Sequence, residues 1–243
     1  MRVAIHGASG RMGKAIADVI AGDDAAEVVA ALDEDNPLST AIDADVVIDF
    51  TTPAGTEAAA AACARAGVPL VSGTTGLGEV PLAALGSLAD SVPVVHAPNM
   101  SAGVTLLFHL AEIAAAGLRD LDAEIVEMHH HHKVDAPSGT AVRLAEHVAR
   151  ARGLDPQEVL RLERAGQVGP RGADEIGVMT LRGGAVVGDH TLHLVGEGER
   201  LELTHRAMDR SIFARGAVRA AKWIVAQPPG LYGMQDVLGL TRS

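Results

Sequence analysis

The stretch that most restricts the fold of this chain is its first 21 residues. A β-branched run, Arg2–His6, passes through Gly7–Gly13, with glycine at 7, 10 and 13, into a helical run, Met12–Ala21, that stops near Gly22. A strand that enters a helix through such a loop turns tightly and leaves free N–H groups at the positive end of the helix dipole. That arrangement suits a pyrophosphate. The spacing is G-x-x-G-x-x-G, with Ala8 where the usual dinucleotide fingerprint has its first glycine. Asp33 ends the next β-like run, Glu27–Leu32, about 20 residues further on, where a ribose-binding acid belongs. A plain glycine-containing turn is the bland alternative.

The strand–helix alternation continues. Asp45–Phe50 reads as a strand, Thr51–Thr52–Pro53 starts a helix over Ala54–Ala66, and Gly67 closes it. Val68–Ser72, Pro81–Leu88 and Pro93–His96 repeat the pattern. Hydrophobic residues make up 48% of the chain but aromatic ones only 2%, so the core has to be Ala, Val, Leu and Ile. These features predict an α/β fold: a Rossmann-like, doubly wound parallel sheet with right-handed crossovers.

Beyond residue 100 the pattern changes. Val104–Ala116 is apolar on every side (Leu106, Leu107, Leu110, Ile113) and reads as a buried helix. Ala123–Met128 is a strand, and Thr140–Arg152 an amphipathic helix ended by Gly153. Glu175–Arg182, His190–Val195 and Leu201–His205 are strands with Gly-containing turns, giving an inserted α+β domain with a mostly antiparallel or mixed sheet. The last long helix, Ser211–Ala226, has no strand after it in this reading. The expected domains are 1–101, completed by 211–243, and 102–210.

A net charge of -11 argues against a nucleic-acid partner. Cys63 stands alone, which excludes an internal disulfide and a multi-thiolate metal site. No apolar run is long enough to span a membrane. The expectation is a soluble cytoplasmic protein.

Two loops follow strand ends, where a doubly wound sheet places its ligand: Gly73–Gly76, and Ala97–Ser101. Each presents amides and hydroxyls to a nicotinamide, or is a plain turn. After Asp33 come Glu34 and Asp35, which repel a 2′-phosphate, so NADH is expected to be preferred and NADPH possible. The alternative is that Glu34 faces solvent while a distant Arg serves the phosphate.

The most unusual segment is Glu127–Thr140, EMHHHHKVDAPSGT. A histidine titrates near neutrality and can exchange a proton at working pH. Lys133 adds a fixed cation, and Ser138–Gly139–Thr140 opens a helix whose free N–H groups form a second anion pocket. A proton donor, a cation and a helix N-terminus together fit a small dianion. A solvated strand end is the bland reading. A zinc site is disfavoured, because adjacent histidines rarely converge on one metal.

With these segments in hand, the chain closely resembles the dihydrodipicolinate reductase family of lysine biosynthesis. The matching pieces are GASGRMG at Gly7–Gly13, DFT at Asp49–Thr51, SGTTG at Ser72–Gly76, PNMSAGV at Pro98–Val104 and EMHHHHKVDAPSGTA at Glu127–Ala141. GDHT at Gly188–Thr191 and the run Glu199–Ala221 complete them. The resemblance implies a homotetramer built through the second domain's sheet, and a small dicarboxylate substrate. It implies His129 and Lys133 as catalytic residues, and His130, Gly139 and Thr140 as substrate contacts. Gly7, Ala8, Ser9, Gly10, Arg11, Met12, Asp33, Gly73, Thr74, Thr75, Ala97, Pro98, Asn99 and Met100 would touch the cofactor. It further implies hydride transfer to C4 of the unsaturated ring, protonation of the resulting enamine by His129, and loss of water overall. The short stretch from Asp33 to Asp45, and Glu34 itself, depart from many family members on the adenine side. The rivals are another two-domain NAD(P)-dependent dehydrogenase, a non-catalytic NADH-binding redox sensor, and a His-rich zinc protein.

Overall fold

The computed structural model describes residues 1–33 and 42–240, so Glu34 and Asp35 lie outside the described residues. In chain order the elements are β1 (Arg2–His6), α1 (Arg11–Ala21), β2 (Glu27–Leu32), β3 (Val46–Asp49), α2 (Pro53–Ala66), β4 (Leu70–Ser72), α3 (Glu79–Ala89) and β5 (Pro93–His96). Next come α4 (Ala102–Gly117), β6 (Asp122–His129), α5 (Gly139–Ala151), α6 (Pro156–Val159), β7 (Leu160–Arg161), β8 (Ile176–Arg182), β9 (Gly188–Val195) and β10 (Arg200–Ala207). The chain ends with α7 (Ser211–Ile224), β11 (Gly230–Tyr232) and α8 (Met234–Val237). Two compact units result: Met1–Ala102 with Arg210–Ser243, and Gly103–Asp209.

In the first unit six strands lie in the order β11-β5-β4-β3-β1-β2, every pair parallel. Parallel strands covered on both faces become continuous apolar runs, as Val46–Ile48 and Leu70–Val71 show. One face packs against α1, α7 and α8 through Ile16, Ile20, Ala217, Ala221 and Ile224, the other against α2 and α3 through Ala59, Cys63, Leu85 and Leu88. Small alanines let these helices sit close to the sheet, and the described buried core holds no aromatic residue. Thr52 caps α2 by accepting the Gly55 N–H at 3.2 Å, and Gly67 closes it at φ 68°. The strand order reverses between β1 and β3, so their carboxyl ends open a crevice.

β11 corrects the expectation that no strand follows the last long helix. It adds to the edge beside β5, but three residues with glycine first carry too little β signal to be read from sequence.

The second unit holds a mixed sheet in the order β10-β9-β6-β8-β7, antiparallel on the β9 side of β6 and parallel on the β8 side. The stripe Ala141, Leu144, Ala145, Val148, Ala149 of α5 is buried against it. Helix α4 departs from the expectation of all-round burial. Val104, Leu107, Ala111 and Ala115 are covered, whereas Leu106, Leu110 and Ile113 are 43%, 41% and 58% exposed. Apolar character gave no periodicity there, so it could not distinguish a buried face from an open one.

Candidate active site

In the first unit the glycine loop turns where expected. Gly7 has φ +86°, a conformation that disfavours side chains, and its N–H bonds Leu32 O at 2.8 Å. Helix α1 has Gly10 at its N-cap, with no side-chain cap bond and no acid in its first turn, so its leading N–H groups remain available to an anion. Beside it lies a cleft of about 450 Å³ lined by Gly10, Arg11 and Met12, by Gly73, Thr74 and Thr75, and by Pro98, Asn99 and Met100. Phe50, Thr51 and Phe213 complete the wall. Of the sequence-expected contacts, Gly7, Ala8, Ser9, Asp33 and Ala97 are not in this lining. Asp33 instead accepts the Ser9 N–H at 3.0 Å and the Ser9 hydroxyl at 2.9 Å, tying the glycine loop to the end of β2.

Under the cleft sits a residue that was quoted only as part of a motif. Asp49, at the end of β3, is fully buried. Its Oδ1 lies 3.0 Å from His6 Nδ1 and accepts Thr51 Oγ1 at 2.6 Å. Its Oδ2 accepts Thr56, Ser72 and Thr74 hydroxyls at 2.7, 3.0 and 3.0 Å. Burial pushes this carboxyl up, but bonds from His6, Thr51 and Thr56 outweigh it and hold it below the usual carboxylate range. Thr51 and Thr74 therefore line the cleft with positions set from beneath. The uncapped helix end, the glycine turn and this braced wall fit a dinucleotide.

In the second unit the sheet face under α5 changes character along its strands. Two rows are apolar: Ile176, Ala123, Leu194 and Leu201, then Val178, Ile125, Leu192 and Leu203. The next row is Thr180, Glu127, His190 and His205, followed by Arg182 and His129 on β8 and β6 and Gly188 and Ala207 on β9 and β10. Polar side chains thus gather at one end of the sheet, where α5 begins.

Glu127 is fully buried there. It accepts two bonds from Arg182, at 2.8 and 3.0 Å, the Ser138 N–H at 3.0 Å and the Thr180 hydroxyl at 3.1 Å, and lies 2.6 Å from His129 Nδ1. Burial raises this carboxyl, but Arg182, His129 and Ser138 together pull it below its ordinary range. Ser138 also caps α5, accepting the Ala141 N–H at 3.1 Å, and its Oγ meets His190 Nε2 at 3.0 Å. Burial, then the neighbouring His129, pushes the His190 imidazole down to about 4. His190 therefore stays neutral at working pH.

Of the sequence-expected residues, His129 is nearly buried, His130 and Thr140 are half-buried, and Gly139 is exposed at the start of α5. Lys133 Nζ donates to both carboxylate oxygens of Asp135 at 2.8 Å, and that pairing holds the Asp135 carboxyl below its ordinary range. Glu127, Arg182, His190 and Asp135 had been given no role from sequence. Among the described residues, no group of three His, Cys, Asp or Glu could hold a metal ion, and no helix is long and apolar enough to cross a membrane.

Two family models match this chain. The model for "Dihydrodipicolinate reductase, N-terminus" covers residues 1–100, and that for the C-terminus covers residues 103–238. A protein of Thiobacillus denitrificans named 4-hydroxy-tetrahydrodipicolinate reductase is 48% identical over 99% of both chains. One of the same name from Alkalilimnicola ehrlichii is 46% identical over 98% of this chain and 99% of its own. Among solved structures, a dipicolinate-bound dihydrodipicolinate reductase from Paenisporosarcina sp. TG-14 superposes with TM-score 0.80 at 30% identity, over 97% of this chain and 98% of its own.

Proposed function

The chain belongs to the dihydrodipicolinate reductase family, and from that membership we infer that it is an NAD(P)H-dependent reductase of lysine and diaminopimelate biosynthesis. Its substrate is 4-hydroxy-tetrahydrodipicolinate, the compound in the names of its relatives. The observation that carries this reading is the buried Glu127–His129 pair beside a helix N-terminus and a cation, a constellation suited to a proton donor acting on a small dianion.

The dinucleotide would be held by the start of α1, by Gly73–Thr75 and by Pro98–Met100, with the Asp33–Ser9 bonds fixing the glycine loop. When bound, it supplies a hydride. His129 supplies the proton. Lys133 binds a substrate carboxylate once it exchanges Asp135 for it, and the Gly139 and Thr140 amides at the head of α5 receive the negative charge with His130 alongside. Because Asp33, Glu34 and Asp35 are acidic, NADH is the favoured donor.

The uncovered face of the second sheet supports assembly into a homotetramer. Val126, Met128 and Met179 are half-buried there and Leu181 is exposed, all on the face opposite α5. Met128→Glu should lower the mass measured by analytical ultracentrifugation, and an unchanged mass would remove this face from the interface.

The activity test follows nicotinamide oxidation, with substrate formed in the cuvette by condensing pyruvate with aspartate semialdehyde. Substrate-dependent oxidation supports the reductase. Faster turnover with NADPH would discard the reading of Glu34. No oxidation despite tight dinucleotide binding would favour a sensor.

A further inference from the structure

Among the described residues, His129 is hydrogen-bonded through one ring nitrogen only. Nδ1 meets Glu127 Oε2 at 2.6 Å, while Nε2 bonds to no described residue. Glu127 lies two residues earlier on β6, on the same face, and is itself clamped by Arg182, Ser138 and Thr180. An ionised carboxylate only accepts, so Nδ1 must carry a hydrogen. We propose that Glu127 is the positioning residue for the proton-donating histidine: it fixes Nδ1–H and leaves Nε2 as the nitrogen that hands a proton to the substrate.

This rests on His129 being the proton donor. A second observation agrees with it. A methyl group on Gly188 would stand 2.9 Å from His129 Nε2, so glycine keeps the space beside that nitrogen clear. The charged and titratable groups facing the pair come from every neighbouring element. They are Arg182 on β8, His190 on β9 with its ring centroid 5.2 Å from that of His129, His205 on β10, and the Lys133–Asp135 pair in the loop. Helix α5 contributes the uncharged Ser138. His190 and His205 are both pushed toward the neutral form by burial, whereas Glu127, which His129 contacts, is ion-paired with Arg182. Removing the carboxylate takes away the negative charge that His129 Nδ1 faces and leaves the Arg182 guanidinium without its side-chain partner.

The test is the pH profile of kcat for Glu127→Gln in the full-length enzyme. A general acid must be protonated, so activity falls on the alkaline side of its pKa. In the variant that limb should move about one pH unit or more toward acid, with KM little changed and Glu127→Asp restoring much of the shift. An unmoved limb overturns the proposal. Gly188→Ala should lower kcat about tenfold or more without moving the limb, because it blocks Nε2 and leaves the charges alone. Should Glu127→Gln not fold, ¹⁵N imidazole shifts of the wild-type protein decide the matter: the Nδ1–H tautomer supports the assignment and the Nε2–H tautomer overturns it. Full turnover in His129→Gln would instead remove the underlying reading, whatever Glu127 does.

Discussion

Asp49 and His6 occupy paired positions on adjacent parallel strands, β3 and β1, and their facing side-chain atoms lie 3.0 Å apart in the buried floor of the cleft beside α1. The carboxylate gathers strand ends β1, β3 and β4 and the first turn of α2 into one network.

Asp49→Asn should weaken both the fold and the cleft proposed to hold the dinucleotide. Three hydroxyls converge on Oδ2, and an amide nitrogen there cannot accept any of them. The expected loss is about 1–3 kcal/mol in urea unfolding, with a raised KM for the dinucleotide. Unchanged stability and KM would mean that the hydroxyls repartner without cost.

His129→Gln should lower kcat about a hundredfold or more while leaving KM for substrate close to wild type, because the donated proton acts in the transition state. Steady-state kinetics at fixed pH checks this.

Lys133→Ala should reduce kcat and raise substrate KM together. Asp135→Asn should lower substrate KM, since it releases the ammonium from an internal carboxylate that the substrate otherwise has to displace. A raised KM in Asp135→Asn would show that Asp135 serves chiefly to aim Lys133.

Stability should fall on mild acidification through His190. Its folded value, about 4, lies below the ordinary 6.5, so the unfolded chain takes up the proton first as pH drops. The decline runs between those two values and amounts to on the order of 3 kcal/mol. His190→Asn should flatten denaturant midpoints measured across this window, and an equally steep dependence in the variant would assign the effect to other groups.

Legibility in the sequence followed the range of the interactions. The glycine loop, the Thr52–Pro53 helix start and the stripe of α5 depend on neighbours in sequence, and each stands where the residues implied. The histidine–lysine segment was conspicuous by composition. What surrounds it was not, because Arg182 and His190 reach Glu127 only through strand register across β8, β6 and β9. Phe213 reaches the cleft wall from an element more than a hundred residues beyond the other lining residues. The exposed side of α4 and the short strand β11 were missed for lack of periodic signal.

The change from apolar to polar rows along the sheet under α5 makes the site a record of sheet assembly. Sliding β9 by a single residue against β6 would turn His190 to the opposite face and bring Leu192 and Leu194 out with it, so a misregistered sheet loses its hydrophobic support and the Ser138–His190 bond at the head of α5 in one event. A chain with partial activity from a partly slipped sheet is therefore not an accessible compromise, and during refolding the recovery of turnover should coincide with protection of the β6–β9 amides.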